Sequence, residues 1–319
     1  MSYLLLIVGL ALLIKGADYF VEGASSIARS LNVSPLLIGL TIVAFGTSSP
    51  EATVSIIAAL EGNAGVALGN VVGSNIFNIT LVVGITALLN PLKVESETIR
   101  KEIPYTLLAS TVLFVLISDM TLQSLNENFI TRSDGFILLL FFAIFLYYIL
   151  EVARHSRDQV KQETADSSPV SSRTKNILFT IGGLAAIIFG GDIVVDHATK
   201  IAFSFGMSET LVGLTIVAIG TSLPELITSI TAAIKKESEI ALGNIVGSNI
   251  FNILFVLGSA SVVSPLAVDG KIFIDVFLMI IITVILLVFS RTGFRIGKRE
   301  GVFLIIAYIV YMAYIIMRN

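Results

Sequence analysis

The chain has 319 residues but no cysteine, no tryptophan and only two histidines, His155 and His197. Without cysteine there is no disulfide and no thiolate metal site. Two histidines exclude a histidine-rich transition-metal centre. Charged residues are 13% of the chain, about half the ~25% of soluble domains. The net charge of −3 is spread over so few charged side chains that it points to no partner, and no basic tract for nucleic acid is present. With tryptophan missing, an interfacial aromatic belt has to rest on tyrosines such as Tyr3, Tyr105, Tyr147 and Tyr311. A cleaved signal peptide is not expected, because Lys15 follows the first apolar run instead of leading it. Tyr3–Val21 is therefore read as a retained first span.

What the chain has is apolar length. Hydrophobic residues make up 55% and mean hydropathy is +0.94. Several mostly apolar stretches are long enough to span a bilayer, which takes about 18 residues or more. The expected fold class is an all-α polytopic membrane protein, with the lipid bilayer as its main partner.

One stretch interrupts this pattern. Gly46-Thr47-Ser48-Ser49-Pro50-Glu51 lies inside the apolar run from Leu36 to Leu60. An acid at the centre of a membrane helix costs roughly 2.5–3.5 kcal/mol on insertion scales and survives where it faces a protein-lined cavity. Pro50 removes one helical donor and crowds the carbonyl of Gly46. The helix is expected to kink there and to free backbone oxygens near Ala44–Gly46. Thr47, Ser48 and Glu51 share one helix face by their spacing. Hydroxyls, carbonyls and a carboxylate form an all-oxygen lining that suits hard cations such as Na+ or Ca2+.

The stretch recurs 174 residues later as Gly220-Thr221-Ser222-Leu223-Pro224-Glu225. Between 39–84 and 213–258 there are 29 identities in 46 positions without a gap. Chance similarity of two apolar helices does not produce this, and a duplication organises the fold. Ten spans fit the pattern: about 3–22, 35–60, 66–89, 103–119, 135–152, 177–198, 208–234, 239–263, 272–290 and 301–317. Residues 1–152 form the first five-helix repeat, 153–175 a polar linker and 176–319 the second repeat. If the linker is cytoplasmic, its face carries 15 Lys and Arg and the opposite face four, as the positive-inside rule asks. Both termini then lie outside. Five spans per half invert the second repeat relative to the first, an architecture of secondary transporters with the site at mid-membrane.

A second duplicated motif supplies more oxygens. Ser74 and Asn78 are four apart, as are Ser248 and Asn252, so each pair shares a face. Gly69 and Gly73, and their copies Gly243 and Gly247, are read as small residues that let another helix approach. Asp18 and Asp192 also align at the 174 offset, and a structural or interfacial role is expected for both, as for Glu22 and Asp196. Lys15, three residues before Asp18, is its candidate partner.

GTSxPE followed by GNxVGSNIFN, present twice, resembles the α-repeats of the sodium/calcium exchanger family, and most closely its short prokaryotic members without a regulatory domain. The resemblance covers both repeats and the ten-span layout. It implies an antiporter, not an enzyme, with Na+ and Ca2+ as transported ions, no cofactor, a cell-membrane location and a monomer as the working unit. It further implies that Glu51 and Glu225 are the central carboxylates shared by the two ions. Thr47, Ser48, Thr221, Ser222, Ser74 and Ser248 would complete the oxygen shells, and the carbonyls of Ala44 and Ala218 would bind Na+. Asn78 and Asn252 match a position where some members carry aspartate. An amide still offers a carbonyl oxygen, so two carboxylates remain at the centre.

This charge count suggests a mechanism. Two nearby buried carboxylates repel each other; one Ca2+ or several Na+ cancel them, which makes the ions exclusive occupants. On the family's pattern spans one and six slide against the rest. The alternative is a Ca2+/H+ antiporter of the same superfamily, in which protons replace Na+ on Glu51 and Glu225. A cation channel fits less well, since inverted repeats with broken helices are not the usual ring-built pore. No HExxH motif supports an intramembrane hydrolase.

Overall fold

The computed structural model describes residues 2–94, 98–122, 124, 126–163, 173–206 and 218–318. It is a helical membrane protein, with two short β-ribbons among the described residues. Among the described residues seven helices are long and apolar enough to cross a membrane, and a bent pair adds an eighth span. In chain order the elements are α1 (Ser2–Leu31), α2 (Pro35–Ile38), α3 (Ala44–Thr47), α4 (Ser49–Leu60), α5 (Ala64–Phe77), α6 (Val83–Leu89) and α7 (Ile103–Leu116). There follow α8 (Asp119–Leu122), α9 (Arg132–Glu163), α10 (Arg173–Ser204), α11 (Ala218–Thr221), α12 (Leu223–Ile234) and α13 (Ser238–Phe251). The last are α14 (Leu257–Val263), α15 (Gly270–Arg291) and α16 (Lys298–Arg318). Helix α9 runs past residue 152 into the polar stretch, so the first residues of 153–175 continue a helix. Residues 164–172 and the 207–217 part of the seventh expected span lie outside the described residues.

Burial separates centre from rim. In the best apolar window of Ser238–Val263, 94% of residues are buried, against 22% for Lys298–Arg318. The second motifs therefore run through the middle. The helices around them turn Leu4, Ile7, Leu140, Ile144, Phe277, Ile306 and Val310 outward. Such an apolar exterior belongs in lipid, where burial in water-free surroundings needs no polar cover.

Close backbone approach builds the centre. An added Cβ on Gly243 would lie 2.7 Å from the Leu36 carbonyl, and one on Gly247 2.7 Å from the Leu40 carbonyl. Only glycine lets α13 pack this tightly on the segment from α2 to α3. Gly243 and Gly247 thus have the packing role expected of them. Gly69 and Gly73 have no atom of the described residues within 4 Å of such a Cβ; residues 207–217, the counterparts of 33–43, lie outside the described residues.

The ribbons, not foreseen from the sequence, mark the two faces. Leu92–Lys93 (β1) pairs antiparallel with Arg295–Ile296 (β4), and Phe129–Ile130 (β2) with Leu266–Ala267 (β3). Helix α15 begins just after β3 and ends just before β4. Its 22 residues cover about 33 Å at 1.5 Å each, so the ribbons sit on opposite faces. Leu92 and Leu266 are 174 apart in sequence yet belong to different ribbons. Equivalent points of the two halves therefore face opposite ways, and the repeats are inverted.

Candidate functional site

The duplicated prolines decide where the helices break. Pro50 occupies the first turn of α4, where its missing N–H is an orphan anyway. The N-cap of α4, Ser48, leaves helical geometry at φ −83°, ψ 8°, and the axes of Pro35–Thr47 and Ser49–Leu60 diverge by 48°. Ser222 repeats this before Pro224, at φ −92°, ψ 7°. Glu51 and Glu225 are consequently in the first turns of α4 and α12. A helix N-terminus favours negative charge, so the breaks hold both carboxylates at mid-span.

The break is tighter than expected. The Ala44 carbonyl accepts the Ser48 N–H at 3.0 Å and lies 3.3 Å from Thr47 Oγ1. The Phe45 carbonyl accepts Ser49 Oγ at 2.9 Å. The Gly46 carbonyl loses its N–H four residues on, because that residue is Pro50. Ala218 opens α11, the counterpart of α3.

The two halves interlock at the carboxylates. Ser48 Oγ donates to Glu225 Oε1 at 2.8 Å, and Ser222 Oγ donates to Glu51 Oε1 at 2.9 Å. Each glutamate thus takes its hydroxyl from the other repeat. Ser222 Oγ also lies 3.0 Å from Ser74 Oγ. Glu51, Glu225, Ser48, Ser222, Ser248, Asn78 and Asn252 are fully buried, and Ser74 nearly so. Thr47 and Thr221 also meet amides: Thr47 Oγ1 is 3.0 Å from Asn244 Oδ1, and Thr221 Oγ1 is 3.3 Å from Asn70 Oδ1.

Those amides were not singled out from the sequence. Asn70 Nδ2 donates to the Glu51 carbonyl at 3.3 Å and to Ser55 Oγ at 2.9 Å. Asn244 Nδ2 does the same to the Glu225 carbonyl and Ser229 Oγ, at 3.3 and 2.9 Å. Each clamps the start of a half-helix. The signal was present, since Asn70/Asn244 and Ser55/Ser229 are identities of the duplication. A second pair crosses the centre. Asn78 Nδ2 donates to Asn249 Oδ1 at 3.3 Å and Asn252 Nδ2 to Asn75 Oδ1 at 3.2 Å. These bonds fix which way each amide points. Five-residue π-helical turns start at Asn78 and at Asn252. Such bulges are frequent at functional sites.

Among the described residues, five oxygens of this cluster have no hydrogen-bond partner although they are buried. They are Glu51 Oε2, Glu225 Oε2, Asn78 Oδ1, Asn252 Oδ1 and Ser248 Oγ. An unsatisfied buried polar atom costs about 1–3 kcal/mol. Five together, four of them pure acceptors when the glutamates are ionised, describe a site for a cation. The donor set is oxygen alone, as hard cations require. Asp18 does not pair with Lys15 as expected. Its carboxylate lies 2.7 Å from Lys235 Nζ, beyond the cluster.

Among the described residues, Gly69, Asn70, Gly73, Ser74 and Thr221 share the lining of a cavity of about 550 Å³ with Asp269, Lys271, Asp275 and Arg318. There Arg318 and Asp275 form a two-pronged ion pair at 3.0 and 2.9 Å.

Known proteins resemble this chain over nearly its whole length. The family model described as "Sodium/calcium exchanger protein" matches residues 1–151 and 175–317. The chain is 43% identical over 315 residues to a putative antiporter CaxA of Alkalimonas amylolytica, covering 96% of this chain and 95% of that protein. It is 39% identical over 317 residues to the inner membrane protein YrbG of Escherichia coli (strain K12), covering 97% and 95%. Among solved structures, the sodium-calcium exchanger NCX_Mj soaked with 2.5 mM Na+ and 0.1 mM Ca2+ superimposes with a TM-score of 0.83 at 33% identity, covering 98% and 97% of the two chains. The interlocked carboxylates, the inverted halves and these likenesses agree, and the chain belongs to the sodium/calcium exchanger family.

Proposed function

We propose that this chain exchanges Na+ for Ca2+ by alternating access, and that the buried oxygen cluster around Glu51 and Glu225 is the site the two ions share. The observation that carries the reading is the set of five buried oxygens without a partner among the described residues, two of them on carboxylates supplied by opposite repeats. Ser48 and Ser222 hold one oxygen of each carboxylate and leave the other for the ion. Asn78 and Asn252 add neutral acceptors; Ser74, Ser248 and the Ala44 and Ala218 carbonyls lie in the same repeat positions. Thr47 and Thr221 act also through Asn244 and Asn70. One chain supplies the whole cluster, so the working unit is a monomer.

Two carboxylates set the charge. Ca2+ neutralises them, and so do two Na+; a third Na+ makes the cycle electrogenic. We assign three Na+ per Ca2+. The same reading places ten spans in two halves, 1–152 and 176–319, in a cell membrane, with 153–175 on the cytoplasmic face and both termini outside. The contacts support the grouping of basic residues. Lys93 and Arg295 share one ribbon, and Lys93 lines one cleft with Lys236. Arg132 reaches the Val263 carbonyl and Arg318 the Lys271 carbonyl at the opposite face.

The direct test is 45Ca2+ uptake into vesicles holding the purified protein. A Na+ gradient should drive uptake and a pH gradient without Na+ should not. Robust proton-driven flux with no response to Na+ would replace this reading by a Ca2+/H+ antiporter.

A further inference from the structure

Asparagines meet where the two second motifs cross. Asn75 lies in the last turn of α5 and Asn249 in the last turn of α13. Asn78 and Asn252 follow three residues later and open the π-helical turns. Residues three apart share a helix face, so each helix offers the other a pair of amides. Asn78 Nδ2 donates to Asn249 Oδ1 at 3.3 Å, and Asn252 Nδ2 donates to Asn75 Oδ1 at 3.2 Å. Asn75 Nδ2 also donates to the Asn249 carbonyl at 3.2 Å. All these side chains are buried. A shift of 174 residues turns the Asn78–Asn249 bond into the Asn252–Asn75 bond. The pair of bonds is its own image under the duplication and straddles the axis that relates the halves.

An amide has two unlike ends. Its oxygen accepts and attracts a cation, whereas its NH2 group donates and repels one. Nothing within Asn78 decides which end faces the cluster. Asn249 Oδ1 can only accept, so it takes the NH2 end of Asn78 and leaves the oxygen to the cluster. Asn75 Oδ1 does the same for Asn252. The outcome is that Asn78 Oδ1 and Asn252 Oδ1 are buried without a hydrogen-bond partner among the described residues. Residues 33–43, the counterparts of 207–217, are described and leave Asn252 Oδ1 without a bond. An amide suits this task for a second reason. Aspartate at 75 or 249 would accept the same bond, but it would add a negative charge beside two buried carboxylates that already repel each other. Asparagine sets direction without changing charge.

We propose that Asn75 and Asn249 are positioning residues of the ion site, each holding the amide of the opposite repeat so that it shows the ion its oxygen. Their own side-chain oxygens are engaged in the crossing bonds, so neither is itself a ligand. The proposal rests on the reading of this cluster as the site that Na+ and Ca2+ share.

Equilibrium binding of 45Ca2+ to the purified full chain tests it through the cost of one substitution, N78A, in several backgrounds. In the native chain N78A removes a ligand oxygen and should weaken binding about tenfold, the scale of a hydrogen bond to a charged group. N249L keeps the size of the side chain and removes the acceptor. Asn78 then loses its guide, so N249L alone should weaken binding, and adding N78A should cost less than about twofold more. N249D keeps the acceptor, so N78A should again cost about tenfold there, whatever the added charge does to the starting affinity. In N252A the cost of N78A should also stay at about tenfold, because Asn249 still guides Asn78. The thermal midpoint in detergent checks folding, and N249A repeats the test with a smaller side chain. A loosened fold lowers affinity in N249L but leaves the cost of N78A intact. That result, or unchanged binding in N249L, would overturn the positioning role alone. Unchanged binding in N78A itself would overturn the proposal together with the shared-site reading beneath it.

Discussion

A membrane potential is the perturbation that reads the charge of the cluster. Its carboxylates are Glu51 and Glu225, both fully buried; the second-motif positions, Asn78 and Asn252, are neutral. A Ca2+-loaded cluster is then near neutral, and one with three Na+ carries a single positive charge. One charge moved across 100 mV is worth roughly 2.3 kcal/mol. At ~1.4 kcal/mol per tenfold, that is about forty-fold in the Ca2+ gradient sustained at equilibrium. The sign follows from the cycle. In vesicles loaded with Na+ and placed in Ca2+, each turn brings in two charges and releases three. An inside-positive potential should therefore stimulate 45Ca2+ uptake, and an inside-negative one should slow it. Valinomycin with an inward K+ gradient imposes the first, and an outward K+ gradient the second. Uptake that ignores both potentials would refute three Na+ per Ca2+ and leave an electroneutral exchange of two.

Other consequences follow from single contacts. Asn70→Ala or Asn244→Ala removes a clamp of two hydrogen bonds on a half-helix that carries a glutamate. At roughly 1 kcal/mol per bond, apparent Ca2+ affinity in flux assays should fall about tenfold or more, with the protein still folded. Gly243→Leu forces a side chain to within 2.7 Å of the Leu36 carbonyl. Overpacking of this kind costs about 1–3 kcal/mol, so its thermal midpoint in detergent should drop. For the topology, a cysteine at Asn126 should react with an impermeant reagent from outside only. One at Ser167, outside the described residues, should react only from the cytoplasm. The reverse pattern removes the assigned orientation.

The centre of the site is legible in the sequence because buried charge is rare in a membrane span. Glu51 and Glu225 stand out against apolar neighbours, and Pro50 and Pro224 announce the breaks. The duplication is legible because its identities run without a gap. What escapes is pairing across the halves. Nothing in one sequence says that Ser48 serves Glu225 and Ser222 serves Glu51, since that depends on how two inverted copies meet. Asn70 and Asn244 escape for a related reason: next to GSNIFN they read as helix glue, and only their bonds to the Glu51 and Glu225 carbonyls give them a role. The expected Lys15–Asp18 pair fails because neighbours on a helix are the only partners sequence spacing can offer. Lys235 arrives from the other half.

The central claim is that one cluster, built on Glu51 and Glu225, binds both ions. Equilibrium binding of 45Ca2+ to the purified protein, titrated with Na+, tests it without transport. The account predicts that Na+ displaces Ca2+ fully and competitively, and that Glu51→Gln and Glu225→Gln each abolish the displaceable binding while the protein stays folded. Ca2+ binding that survives both substitutions with unchanged affinity and unchanged competition by Na+ would contradict it.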